Sequence, residues 1–176
     1  MDNLPATPYT TVCVSGGFDP VHIGHLRLMR EAAGFGRVIV IVNSDKWLMR
    51  KKGYIFMPFK ERCEIIEGFT CVETTTYVVD NDNTVCEALR RIKPDYFANG
   101  GDRKNDNTPE MDVCEELGIG LLWGVGGGKI QSSSTLVNDS GVIAPSLTVP
   151  GFDGVDLTPS RVDIIVAGDV SKKSDY

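Results

Sequence analysis

Apolar positions along this chain fall into short continuous runs and into segments of helical spacing, and the two kinds alternate. Thr11 to Ser15 (Thr-Val-Cys-Val-Ser) reads as a buried strand that runs into the turn signal Gly16-Gly17. From His22 to Ala33 the apolar residues Leu26, Met29, Ala32 and Ala33 recur at helical spacing, and Gly34 closes the segment. Val38 to Val42 is a continuous β-branched run of the kind found in a parallel strand covered on both faces, ending at Asn43-Ser44-Asp45. A helix is predicted over Met57 to Gly68 with Pro58 at its start, a strand over Thr74 to Val79, and a helix over Thr84 to Ile92 that Pro94 breaks. Asp95 to Ala98 forms a short strand leading into Asn99-Gly100-Gly101-Asp102. Thr108 N-caps the next helix, whose first turn holds Pro109 and Glu110 and which Gly118 ends before a strand around Leu121 to Trp123. Gly124 to Gly128 then opens onto Ser132-Ser133-Ser134 and a last short helix.

Five alternations of strand and helix predict an α/β fold: a Rossmann-like open parallel sheet of about five strands, helices on both faces, joined by right-handed crossovers in a single domain. Ligands of such sheets bind beyond the carboxyl ends of the strands. The pattern holds over residues 1–138. Residues 139–176 depart from it, being rich in Pro, Gly, Ser and Asp with one strand-like run at Val162 to Val166, and form a C-terminal extension of unassigned role.

Composition narrows the functional classes. The 176 residues carry a net charge of −6, so the chain lacks the basic surface with which nucleic-acid binders neutralise a phosphate backbone. A free nucleotide needs only a few local donors and stays open. The five cysteines are odd in number and contain no C-x-x-C pair, which fits a reducing, cytoplasmic setting. Met1 to Thr10 has neither a basic start nor an apolar run of signal-peptide length, and Val38 to Val42 is too short to span a bilayer, so neither secretion nor membrane insertion is expected.

The most informative segment is Gly16-Gly17-Phe18-Asp19-Pro20-Val21-His22-Ile23-Gly24-His25, which holds both histidines of the protein. Two imidazoles three residues apart at a helix start share a face, beside backbone N–H groups that lack intrahelical partners and attract anions. A polyphosphate fits there. Gly16 and Gly17 remove side chains that would block close approach of the backbone to it, and Gly24 lets a phosphate or nucleoside pack against the helix. Zinc ligation by the histidines is disfavoured, since no third partner stands at ligand spacing.

With Gly-Phe-Asp-Pro before it, His22-Ile23-Gly24-His25 resembles the H-x-G-H motif of the cytidylyltransferase-like nucleotidyltransferases. The likeness runs through Asn43-Ser44-Asp45, Arg62, Ile92-Lys93-Pro94-Asp95 and Gly100-Gly101-Asp102 to Ser132-Ser133-Ser134, covering about residues 11 to 138. Its spacing is most similar to glycerol-3-phosphate cytidylyltransferase and to the adenylyltransferase domain of ADP-heptose synthesis, with Gly-Gly-Asp leaning toward the latter. H-x-G-H also occurs in class I aminoacyl-tRNA synthetases, whose tRNA-binding parts this chain is too short to hold.

The resemblance implies in-line transfer of a nucleotidyl group from CTP or ATP, with Mg²⁺ carried on the triphosphate, to a small phosphorylated acceptor such as a sugar phosphate or polyol phosphate. Pyrophosphate leaves without a covalent enzyme intermediate. In this picture His22 and His25 stabilise the transition state, Gly16, Gly17 and Phe18 line the nucleotide pocket, and Asp19 orders the turn. Lys51 and Lys52, read here as a loop between the second strand and the following helix, would otherwise be a solvated charge pair. The family places a lysine there that reaches a phosphate, without deciding between them. Arg62 is similar to a family arginine near the nucleotide, although a plain surface helix charge is the competing reading. Gly101 and Asp102 would meet ribose, base or magnesium, and Ser132, Ser133 and Ser134 would hold the β and γ phosphates. The sequence departs from the family where Gly127 replaces a common arginine and Gln131 a usual isoleucine; Lys129 stands two positions on and would supply the charge. The family commonly forms dimers, so a homodimer is a candidate assembly. Two rivals remain: adenylyl transfer to a coenzyme precursor of the pantetheine-phosphate or nicotinamide-mononucleotide type, and a non-catalytic nucleotide-binding regulatory module.

Overall fold

The protein's computed structural model describes residues 9–101, 108–128 and 130–140. The chain divides into two compact units, residues 1–133 and residues 134–176. The first holds a five-stranded, all-parallel sheet in the order β3-β2-β1-β4-β5, built from β1 (Thr11–Gly16), β2 (Arg37–Val42), β3 (Val72–Tyr77), β4 (Tyr96–Gly100) and β5 (Gly120–Val125). Of the second, the described residues are Ser134 to Ser140, most of them in the short helix α6 (Ser133–Asp139).

Side-chain alternation along the central strands explains the helices on both faces. Val12 and Val14 of β1, with Val38, Val40 and Val42 of β2, point to one side. There they meet Leu28, Met29 and Ala32 of α1 (Ile23–Ala32) and Ile66 of α3 (Phe59–Glu67). Cys13 and Ile41 point to the other, against Ala88 and Leu89 of α4 (Cys86–Ile92) and Val113 and Cys114 of α5 (Pro109–Leu117). The cysteines are core fillers: all five are free, and burial pushes the Cys13 thiol up to about 12. The expected Rossmann-like sheet with helices on both faces is present. Because the chain runs β1, β2, β3 outward on one side and β4, β5 on the other, the carboxyl ends of β1 and β4 form the topological switch point.

One expectation is corrected. Lys51 and Lys52 lie in no loop: they end a helix, α2 (Asp45–Lys52), that the hydrophobic pattern did not reveal. Ser44 caps it, its hydroxyl accepting from the Trp47 N–H at 3.0 Å, and Asp45 complements the dipole in the first turn. Arg50, Lys51 and Lys52 lie in its last turn, where positive charge faces the free carbonyls, and Gly53 closes it at φ 78°, a conformation that favours glycine. Only Leu48 of the eight residues is buried, so no amphipathic stripe was there to be read. The third strand also starts two residues earlier than its pattern suggested. The run Val162 to Val166, like the rest of residues 141–176, lies outside the described residues.

Leu89 is fully buried between α4 and the sheet, so Leu89→Ala should lower unfolding free energy by about 2–5 kcal/mol, read by urea denaturation.

Candidate active site

The turn after β1 leads straight into α1, and His22 is the N-cap of that helix. Its Nδ1 accepts the Gly24 N–H at 3.1 Å, while His25 Nδ1 accepts the N–H of His22 at 3.2 Å. The two imidazoles thus make a reciprocal capping box in which histidine occupies both positions. The rings stack, centroids 3.7 Å apart and 24° from parallel. Since each Nδ1 accepts a hydrogen bond, the proton of each neutral ring sits on Nε2. Both motif histidines are therefore fixed as Nε2–H donors.

Electrostatics keep them neutral. Burial, then the neighbouring His22 and the Lys52 ammonium, push His25 down to about 3. His22 is lowered by burial and then by Lys52. Lys52 is itself lowered, chiefly by burial, against the opposing pull of Asp19.

Lys52, at the end of α2, donates from Nζ to the Asp19 carbonyl at 2.9 Å. The neighbouring Lys51 is exposed. The structure thus brings Lys52 to the histidine turn and leaves Lys51 on the helix surface.

Asp19 is completely buried, and its carboxylate accepts the backbone N–H groups of Met57 at 2.6 Å and Phe56 at 2.9 Å. It ties the segment before α3 to the histidine turn. Phe18 is 3% exposed and packs edge-on to His25, centroids 4.9 Å apart, so its ring backs that imidazole.

Arg62 is not a surface charge. Fully buried in α3, it donates to the carbonyls of Gly17 at 2.6 Å, Asn43 at 2.9 Å and Met57 at 2.9 Å, and to the Asp45 carboxylate at 2.6 Å. Its guanidinium ties together the ends of β1 and β2, the start of α2 and the segment before α3.

The motif glycines also answer to internal neighbours. A Cβ on Gly17 would sit 2.9 Å from Leu48 Cδ2, and one on Gly24 would sit 2.9 Å from His22 Cε1. A Cβ on Gly16 would sit 3.1 Å from the Phe18 ring. Gly101, after β4, faces the glycine loop, where a Cβ would run into the Gly127 carbonyl oxygen. That loop is held to α1 by the Gly126 N–H donating to the Glu31 carboxylate at 2.9 Å.

The Ser133 hydroxyl donates to the Pro20 carbonyl at 2.8 Å, which brings it to the histidine turn. Ser132 precedes it in the first unit, and Ser134 begins the second. Asp102 and Lys129 lie outside the described residues. An open groove between α3 and β3, lined by Phe59, Cys63, Thr75 and Tyr77 among others, includes none of the motif residues.

Sequence reasoning missed Asp80, which is 3% exposed and whose carboxylate accepts the Ser44 hydroxyl at 2.7 Å and the Ser44 N–H at 2.8 Å. In sequence it stands in Asp80-Asn81-Asp82-Asn83, indistinguishable from an ordinary polar turn.

The low His25 value sets a sign for stability. The unfolded ring takes a proton near its ordinary value of 6.5 and the folded ring only near 3, so the unfolded state binds more protons between these limits. Stability from this group is complete above pH 6.5 and is lost progressively as pH falls toward 3. Between pH 7 and pH 5 the wild type should lose about 2 kcal/mol that His25→Gln does not lose, measured by urea denaturation at both pH values.

Comparison with known proteins gives the family. A family model described as cytidylyltransferase-like matches residues 13–119. The chain is 28% identical over 153 residues to an FAD synthase of Halorhabdus utahensis, covering 87% of this chain and 93% of that protein. It is 29% identical over 142 residues to the bifunctional protein HldE of Desulfatibacillum aliphaticivorans, covering 79% of this chain but only 28% of that longer protein. Among solved structures it is similar to a lipopolysaccharide core biosynthesis protein from Thermoplasma volcanium, with a TM-score of 0.54 and 25% identity, covering 65% of this chain and 93% of that one. With more than half its length matched and the histidine turn inside the match, the chain belongs to the cytidylyltransferase-like family of nucleotidyltransferases.

Proposed function

We propose that this protein transfers a nucleotidyl group from ATP or CTP to a small phosphorylated acceptor, a sugar phosphate or polyol phosphate, and releases pyrophosphate. The observation that carries the reading is the reciprocal histidine cap, which presents two neutral Nε2–H donors beside the Lys52 ammonium. An acceptor phosphate oxygen attacks the α-phosphorus. As the new P–O bond forms, the bond to the bridging oxygen breaks, and pyrophosphate leaves with the electron pair. Charge grows on the non-bridging oxygens, and donors fixed in advance lower that barrier because they need no reorganisation. His22 and His25 supply those donors. Lys52 neutralises phosphate charge, and each histidine acts as a hydrogen-bond donor, since its Nδ1 lone pair is already taken by a backbone N–H.

Mg²⁺ carried on the triphosphate would neutralise its oxygens. Two neutral donors and an ammonium suit a metal-bound triphosphate, and no group of three or more acidic, Cys or His side chains among the described residues is arranged to hold an ion directly. Residues 1–138 carry the activity in this reading, and residues 139–176 are an extension. No helix among the described residues is long and apolar enough to cross a membrane.

A second reading, adenylyl transfer to a coenzyme precursor, is favoured by one specific observation. The FAD synthase relative aligns over nearly the whole of both chains, and forming FAD is adenylyl transfer to FMN. Tyr54 to Met57 is an apolar segment next to Lys52, pinned by Asp19, with Lys52 Nζ 5.8 Å from the Tyr54 ring centroid. Such a segment suits the flat body of a flavin better than a polyol. Pyrophosphate release from ATP and from CTP, each against FMN, sugar phosphates and glycerol phosphate, separates the two readings. Release with none of these acceptors would favour a non-catalytic nucleotide-binding module.

His25→Ala should bind the triphosphate yet transfer it at least about a hundredfold more slowly in single turnover. His22→Ala should behave similarly and also lose about 1 kcal/mol of helix capping. Asn at either position keeps a donor and should recover part of the rate. Wild-type turnover in both Ala variants would sink the mechanism.

A further inference from the structure

A residue outside every motif holds the helix that delivers Lys52. Asp80 lies in the segment between β3 and α4, and its buried carboxylate is occupied on all sides by the start of α2. It accepts the Ser44 N–H at 2.8 Å, the Ser44 hydroxyl at 2.7 Å and the Asn43 side-chain amide at 3.3 Å. It also faces the Arg50 guanidinium at 3.6 Å. Arg50, in the last turn of α2, reaches back to the same segment, donating to the Asp80 carbonyl at 2.5 Å and to Asn83 Oδ1 at 3.1 Å. Ser44 in turn spends its hydroxyl oxygen on the Trp47 N–H at 3.0 Å, so Asp80 grips the residue that caps the helix.

The consequence is geometric. Helix α2 is fixed at its first turn and again through Arg50, while its far end places Lys52 Nζ 2.9 Å from the Asp19 carbonyl. Eight helical residues span about 12 Å, so a small tilt at the Asp80 end is carried as a rigid-body displacement to the ammonium. A misplacement near 1 Å at a positioned group is enough to cost up to about a hundredfold in rate. Gly17 makes the arrangement tight, because a Cβ there would sit 2.9 Å from Leu48 Cδ2 and leaves α2 no slack against the histidine turn.

We propose that Asp80 is a positioning residue for nucleotidyl transfer, acting through Ser44, Arg50 and helix α2 to set where Lys52 meets the phosphates. The inference rests on the reading of Lys52 as a phosphate-contacting group. Its test is a double-mutant cycle on kcat/KM with ATP and CTP and whichever acceptor supports turnover, using Asp80→Asn and Asp80→Ala, each alone and combined with Lys52→Ala. Asn keeps one acceptor for Ser44, so it remains measurable if the Ala variant does not fold. The expected result is a loss of about tenfold for Asp80→Asn in the wild-type background and less than about twofold in the Lys52→Ala background, because interacting residues are non-additive. Leu89→Ala, on the opposite face of the sheet, is the control for instability alone and should keep near wild-type kcat/KM below its melting transition. Equal losses from Asp80→Asn in both backgrounds, with Lys52→Ala itself impaired, would overturn the positioning role and leave Lys52 in place. Normal turnover in Lys52→Ala would remove the Lys52 reading and this proposal with it.

Discussion

The site depends on a buried guanidinium. Arg62 has no exposed surface, and burying an unpaired cation would cost several kcal/mol, so its retention requires that every donor direction be answered. Three of its partners are backbone carbonyls, of Gly17, Asn43 and Met57, at points where the chain leaves regular structure and has no ladder partner for them. One planar, forked group therefore satisfies the loose ends of two strands and a loop at once, and Asp45 supplies the counter-charge. Lysine in this position would offer three donors from one point and could not span the same set. The histidine turn, α2 and the segment before α3 are placed by a single side chain.

Around that hub the carboxylates are turned inward. Asp19 is consumed by two backbone amides and Asp80 by the cap of α2, so neither presents a naked negative charge to a phosphate. A net charge of −6 is therefore compatible with the polyanionic substrate proposed above. The distant surface charges are screened over about 8–10 Å of salt solution, whereas in the proposed reaction the two imidazole N–H groups and the Lys52 ammonium would act at hydrogen-bond range. Neutral imidazoles suit that purpose: a second and third cation at 3.7 Å spacing would repel one another, and the stacked pair avoids this by staying unprotonated.

The sheet was legible in the sequence because β-branched runs such as Val38 to Val42 state their burial locally, and the turn at Gly16-Gly17 announces the strand's end. The pairing of the two histidines was legible for the same reason, since both sit in one short segment. Helix α2 was not, because eight residues with one buried side chain carry no periodicity, although Ser44, Asp45 and the basic last turn were present as capping signals. Choosing between Lys51 and Lys52 required the helix phase, which a loop assignment does not have. Arg62 and Asp80 were opaque in a deeper sense. Their partners stand 19 to 45 and 36 to 37 residues away for the contacts that matter most, and no local pattern encodes a hydrogen bond of that reach.

The glycines of the motif have a structural reason of their own. Gly17 admits the Leu48 side chain, Gly24 admits the imidazole of His22, and Gly101 admits the carbonyl of Gly127. In each case the missing Cβ makes room for the protein itself. Phe18 follows the same rule, held at φ 52° with its ring edge against His25. Backbone strain of this kind persists only where the surroundings over-determine it, and here they do, through Arg62 on Gly17 and the two amides on Asp19. The segment is a self-supporting mount for two ring nitrogens. Its spacing is set by how the histidines cap one another, each Nδ1 accepting a backbone N–H of the same turn.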